Sequence, residues 1–167
     1  KRVPVIVGTG SNCTATAVEN SIEAEKLGAD MLLVVTPYYN KCTQEGLIAH
    51  YSQIASAVNT PIIAYNVPGR TGVNILPKTI KALANIPNIV AVKEASGNIS
   101  QIASVVAEVR GSDFKVYSGD DGIILPVMSL GADGLISVAS NVIPKQMVDM
   151  VKAAKEGDLK TAQDLFF

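Results

Sequence analysis

IVAVKEA (residues 89–95), followed across Ser96-Gly97 by NISQIASVVAEVRG (98–111), decides the fold: a short β-branched apolar run gives way to apolar positions at helical spacing. Ile89, Val90, Ala91 and Val92 commit the first segment to a sheet interior, and the run ends on Lys93. A lysine so placed has two readings. Its stem can snorkel from a strand end to water. Alternatively, an amine held in an apolar shell is the nucleophile that attacks a carbonyl carbon to give a Schiff base.

The same strand-then-helix unit recurs on both sides. Upstream, PVIVGT (4–9) precedes a helix over 15–28 that stops at Gly28, and MLLVVT (31–36) precedes a helix over 43–58 with Thr43 as N-cap. PIIAYN (61–66) then runs through the turn-rich VPGRTG into a helix over 77–86 with proline in its first turn. Downstream, FKVYSG (114–119) leads to DGIILPVMSLG (121–131), a helix that Pro126 must kink or shorten. DGLISV (133–138), a helix over 144–157 and a short helical stretch from Asp158 close the pattern.

Alternating short strands and amphipathic helices demand a parallel sheet with right-handed crossovers. Polar or reactive residues end several different strands (Thr36, Tyr65, Lys93, Ser118, Ser137), which favours a (β/α) barrel over a doubly wound sheet. GTGSNC (8–13) lacks the third glycine of a dinucleotide fingerprint. The fold class is therefore α/β, a TIM (β/α)8 barrel represented by about six units. Residues 1–157 form the partial barrel and 158–167 begin a C-terminal helical region. Eight units and about 250 residues make a complete barrel, so the expectation is either a piece of a larger enzyme or a partial barrel whose edges another copy satisfies.

With 167 residues, 48% of them hydrophobic, the chain can bury a proper core. A net charge of −1 with acids and bases interspersed gives no nucleic-acid footprint, and no apolar run reaches the roughly 18 residues of a membrane span. The basic Lys1-Arg2 start leads into a strand rather than a signal sequence. Cys13 and Cys42 are too few and too isolated for a disulfide framework or a zinc site, so a reducing cytoplasm is expected. The single His50 has no companion at catalytic spacing.

The loop ends hold the candidate chemistry. TPYYNK (36–41) puts Tyr38 and Tyr39 after a strand, where a phenol can relay protons or simply pack at an interface. In YNVPGRTG (65–72), Pro68-Gly69 turns Arg70 back over the mouth of the strand ending in Tyr65, as a carboxylate clamp or as a surface arginine. SGDD (118–121) reads as helix capping by Asp120 or Asp121 rather than as a metal site, with Gly119 offering close backbone approach to a ligand.

Together GTGSNCTATAVE, LLVVTPYYNK, YNVPGRTG, VAVKEASGN, SGDD and GLISV resemble the pyruvate-dependent class I aldolase and lyase family, in its dihydrodipicolinate synthase branch, nearly end to end. The resemblance implies condensation of pyruvate with aspartate semialdehyde in lysine and diaminopimelate biosynthesis, by a barrel that assembles as a homo-oligomer. It implies no cofactor and no metal beyond a covalent Schiff base through Lys93. Tyr65 would relay protons, and Tyr39 would do so across a dimer interface into the partner's site. Arg70 would hold the carboxylate of the semialdehyde, and the backbones of Gly119 and Ile136 would line the pyruvate pocket. Arginine at the mouth favours this branch over the sialic-acid and sugar-acid aldolases, which need room for a polyol.

Two departures matter. The family's threonine-bearing loop after the second strand would precede Lys1, so the expectation is a chain corresponding to strands 3 to 8 of the barrel, inactive or impaired alone, or serving only as an assembly piece. Asn12 and Tyr38 match an effector site for lysine, but Thr16 stands where its carboxylate is expected, which argues against lysine inhibition.

Overall fold

The computed structural model of the protein describes residues 2–167; Lys1, placed ahead of the first strand by the sequence reading, lies outside them. One parallel sheet runs β1 (Ile6–Gly8), β2 (Met31–Val35), β3 (Ile62–Asn66), β4 (Ile89–Glu94), β5 (Lys115–Ser118) and β6 (Gly134–Leu135), in chain order. The crossovers are α1 (Thr14–Lys26), α2 (Gln44–Ala57), α3 (Pro68–Thr71) with α4 (Pro77–Ala84), α5 (Ile99–Val109) and α6 (Ile124–Ser129). After β6 come α7 (Pro144–Glu156) and α8 (Leu159–Phe166). Strand order that never reverses is barrel winding, whereas a doubly wound sheet turns back at a switch point. The molecule is an arc of six β/α units of a (β/α)8 barrel.

Alternation along the strands builds the core. Leu32 and Val34 of β2, Ile62 and Ala64 of β3, Val92 of β4 and Val116 of β5 are buried in the layer beneath the helices. On α2 the buried residues Leu47, His50, Tyr51, Ile54 and Ala55 fall at the i, i+3, i+4, i+7, i+8 spacing of one helix face. Each fully buried leucine or isoleucine contributes about 2–3 kcal/mol of transfer free energy. Tyr51 satisfies its buried hydroxyl by donating to the Val34 carbonyl at 2.9 Å, and burial pushes its phenol pKa up. The caps follow the sequence: Thr43 accepts from the Gly46 N–H at 3.1 Å, Asn98 from Gln101 N–H at 3.1 Å, and Gly157 closes α7 at φ 82°.

Two segments are shorter than the sequence suggests. DGIILPVMSLG divides into a 3₁₀ turn over Asp121–Ile123 and the short α6, in which Pro126 occupies the first turn, where its missing N–H breaks no helical bond. DGLISV yields a two-residue β6 because the Asp121 carboxylate takes the N–H groups of Val138 and Ala139, at 3.0 and 3.2 Å, and bends the chain away from the sheet. Among the described residues β1 and β6 each have one strand neighbour. Val5 just before β1, Ile6 at its start, and Val138, Val142 and Val148 beyond β6 are exposed.

Candidate active site

The carboxyl ends of the strands are stepped together by backbone bonds that continue past the strands themselves. Thr36 N–H donates to Tyr65 C=O at 3.2 Å, Ala95 to Asn66 at 2.8 Å, Gly119 to Glu94 at 2.8 Å, and Ile136 to Ser118 at 2.9 Å. Tyr65 is registered directly against Lys93, and Lys93 against Tyr117. Tyr65 and Lys93 therefore leave the sheet on the same face as neighbours.

The Lys93 Nζ lies 4.2 Å from the centroid of the Tyr65 ring, within the range where a cation is drawn to an aromatic face. Lys93 is half-buried rather than sealed, because the arc leaves its inner face open. Gly119 covers its stem. A Cβ at that position would sit 2.8 Å from Lys93 Cε and 2.8 Å from Ala95 Cβ. The close approach expected at Gly119 is thus made first to the lysine, and Ile136 follows on the next strand end.

Asp121 sits behind the same site. Burial raises the pKa of its carboxyl, but hydrogen bonds from Ser137 and from the Val138 and Ala139 N–H groups, with the charge of Lys93, outweigh that and leave it below the ordinary value. Asp120 is the capping residue, accepting from Gly122 N–H at 2.9 Å.

Arg70 is exposed on α3, a single helical turn rather than a bare tight turn; Pro68 opens it and Gly72, at φ 71°, closes it. Tyr39 is 89% exposed with φ 74°, and Lys41 is also left-handed at φ 46°. Non-glycine residues in this region cost on the order of 1 kcal/mol each. Tyr39 N–H donates to Thr71 C=O at 3.1 Å, which fastens the tyrosine loop to the turn carrying Arg70. On the flank, Asn40 Nδ2 donates to the Asn12 carbonyl at 3.1 Å and brings Asn12 beside the loop of Tyr38, while Thr16 is exposed on the first turn of α1.

Sequence reasoning missed the residues under this site. Asn66 and Glu94, each directly after a reactive residue, are fully buried and joined to Asn74 and Gln101. Their only signal was a polar residue closing an apolar strand. Both cysteines are free thiols, no cluster of three metal-ligating side chains occurs among the described residues, and no helix there is long and apolar enough to cross a membrane.

Residues 1–166 match the dihydrodipicolinate synthetase family. The 4-hydroxy-tetrahydrodipicolinate synthase of Alkaliphilus oremlandii is 54% identical over 164 residues, which are 98% of this chain and 56% of that protein. The dihydrodipicolinate synthase of Thermotoga maritima superposes with a TM-score of 0.96 at 46% identity, over 99% of this chain and 57% of that one. A chloride-inhibited dihydrodipicolinate synthase from Acinetobacter baumannii, complexed with pyruvate, does so with a TM-score of 0.95 at 49% identity, over 99% and 57%. The chain spans a little over half the length of these relatives.

Proposed function

The chain belongs to the dihydrodipicolinate synthetase family, and from that premise we propose that it carries the Schiff-base half of a lyase that condenses pyruvate with aspartate semialdehyde. The observation that carries this reading is the amine of Lys93 set under the Tyr65 ring and beside the bare backbone of Gly119.

The uncharged amine of Lys93 adds to the ketone carbon of pyruvate. Tyr65 supplies the proton with which the carbinolamine hydroxyl leaves as water, giving an imine. Loss of a methyl proton turns the imine into an enamine, whose terminal carbon attacks the aldehyde carbon of the semialdehyde. The amino group of that substrate then displaces Lys93 from the imine carbon, closing the ring and freeing the enzyme. The positive charge of the protonated imine lies where the Tyr65 face favours a cation.

Arg70 binds the carboxylate of the semialdehyde at the mouth, converting encounter into orientation. Tyr39, projected outward on strained backbone, serves a neighbouring copy, so the working form is a homo-oligomer. The backbones of Gly119 and Ile136 line the pyruvate pocket. At the flank, Asn12 and Tyr38 form an effector pocket that lacks the carboxylate for an ammonium. Because the arc leaves the inner face of Lys93 open to water, turnover by these six units alone is weak.

Incubation with pyruvate and borohydride, followed by peptide mass analysis, tests the reading. A reduced adduct on Lys93, absent in Lys93→Met, is expected. A folded chain that gains no adduct at Lys93 rules it out.

A further inference from the structure

Asn66 and Glu94 stand directly after Tyr65 and Lys93 and are registered against each other across β3 and β4. Side chains alternate along a strand, so these two leave on the opposite face, into the layer between sheet and helices. Both are fully buried. The Glu94 carboxylate there accepts from Asn66 Nδ2 at 2.9 Å, from Gln101 Nε2 at 3.4 Å and from the Ser96 backbone N–H at 2.7 Å. Asn66 carries the connection onward, since its Nδ2 also donates to Asn74 Oδ1 at 2.9 Å and its Oδ1 accepts from Ile75 N–H at 2.9 Å. Asn74 and Gln101 exchange two amide bonds, at 2.7 and 3.0 Å. One polar cluster thus joins β3, β4, α5 and the segment that follows Arg70.

The chemistry of the cluster is selective. Every group bonded to Glu94 is a donor, so only a group that accepts at both oxygens fits; a glutamine would turn its amide hydrogens onto another donor. All of those donors are uncharged, and a carboxylate kept in the interior without a cation is costly compared with an apolar side chain of the same size. Here its geometry fixes which residues of β3 and β4 end side by side.

We propose that Glu94 is a positioning residue: its buried carboxylate locks the ends of β3 and β4 in the arrangement that lays the Tyr65 ring over the Lys93 amine. The Asn74 arm of the same cluster anchors the chain just after Arg70. The inference rests on the reading of Lys93 and Tyr65 as the reacting pair.

The test uses the full chain carrying Glu94→Gln. Limited acetylation with acetic anhydride, read by peptide mass analysis, gives the labelling of Lys93 relative to exposed Lys145 without any pyruvate. With the ring no longer held over the amine, that ratio is expected to rise at least threefold, while pyruvate trapping at Lys93 falls at least tenfold and circular dichroism is unchanged. The pair Glu94→Gln with Asn66→Asp restores both to within twofold, because the new amide can donate to the new carboxylate while its oxygen serves the Ser96 N–H. Val105→Ala, which weakens the packing of α5 outside the cluster, leaves the ratio at the wild-type value. Should Glu94→Gln not fold, Gln101→Ala on the half-buried helix end is read instead, with a rise of about twofold expected. A folded variant with the wild-type ratio, a double variant that restores nothing, or a Val105→Ala shift as large as that of Glu94→Gln each overturns the proposal. A wild-type chain that traps no pyruvate counts against the proposed reaction alone, since the acetylation ratio still decides the role of Glu94.

Discussion

Tyr65 bears on Lys93 in two separable ways: its ring lies 4.2 Å from the amine, and the proposed reaction makes its hydroxyl the proton donor. Tyr65→Phe keeps the ring and removes the donor. The half-buried position tolerates the change, so the denaturation midpoint is expected to stay within about 0.5 kcal/mol of wild type. The rate of imine capture, measured by borohydride quench against time, is expected to fall about 100-fold. An unchanged rate would assign the proton transfer to another group. Gly119→Ala makes the complementary case, because the added methyl meets Lys93 Cε and Ala95 Cβ, both at 2.8 Å. Ala95 is fixed by its strand end, so the lysine stem must move. The expected outcome is loss of the pyruvate adduct in a protein that still folds, and an adduct at the wild-type rate would show that the stem has room to spare. The sequence marked Lys93 as an amine ending an apolar run, Tyr65 as a polar strand end and Gly119 as a backbone open to close approach, and the family resemblance joined them. That Gly119 packs on the lysine depends on two strands meeting, which no local pattern encodes.

Elements were legible where periodicity is strong. The α2 pattern from Leu47 to Ala55 and its Thr43 cap appear as read. Thr43→Ala is accordingly expected to lower stability by about 1 kcal/mol, seen as a shifted urea midpoint at unchanged slope. Legibility failed where one side chain captured backbone donors, as Asp121 does at the end of β6, or where partners lie far apart in sequence, as with Glu94 and Gln101 against Asn66 and Asn74. His50 is a further element-level feature. It lies on the buried face of α2 with Nδ1 2.9 Å from Thr14 Oγ1, joining α2 to α1, and burial lowers its pKa to about 4. The unfolded chain, with an ordinary histidine near 6.5, takes up the proton first as pH falls. The contribution of His50 to stability is therefore complete above about pH 6.5, declines toward pH 4, and has fallen by about 1 kcal/mol at pH 5.5. Urea unfolding at pH 7.5 and 5.5 should show that loss in the wild type and not in His50→Gln. Equal slopes in the two proteins would place the titration elsewhere.

For the molecule as a whole, the consequence of a six-unit arc is two sheet edges and an open inner face. Among the described residues β1 has a strand neighbour on one side only, with Val5 and Ile6 exposed, and the chain beyond β6 presents Val138, Val142 and Val148. Among the described residues the three-residue β1 carries no lysine or proline of the kind that commonly blunts a free strand, Pro4 lying two residues before it. An apolar edge of this kind pairs with another chain, because a second strand satisfies its backbone groups and removes the valines from water at about 25 cal/mol per Å². The isolated chain is therefore expected to self-associate, with a weight-average mass in sedimentation velocity that rises over the micromolar range. Ile6→Lys places a charge at the first residue of the β1 edge and away from the residues around Lys93. It should shift the chain toward monomer without altering the pyruvate adduct measured per subunit. If the wild type sediments as a monomer throughout, the edges are covered from within the chain. If Ile6→Lys disperses the assembly and the adduct disappears with it, pairing at the β1 edge and the site at Lys93 are coupled.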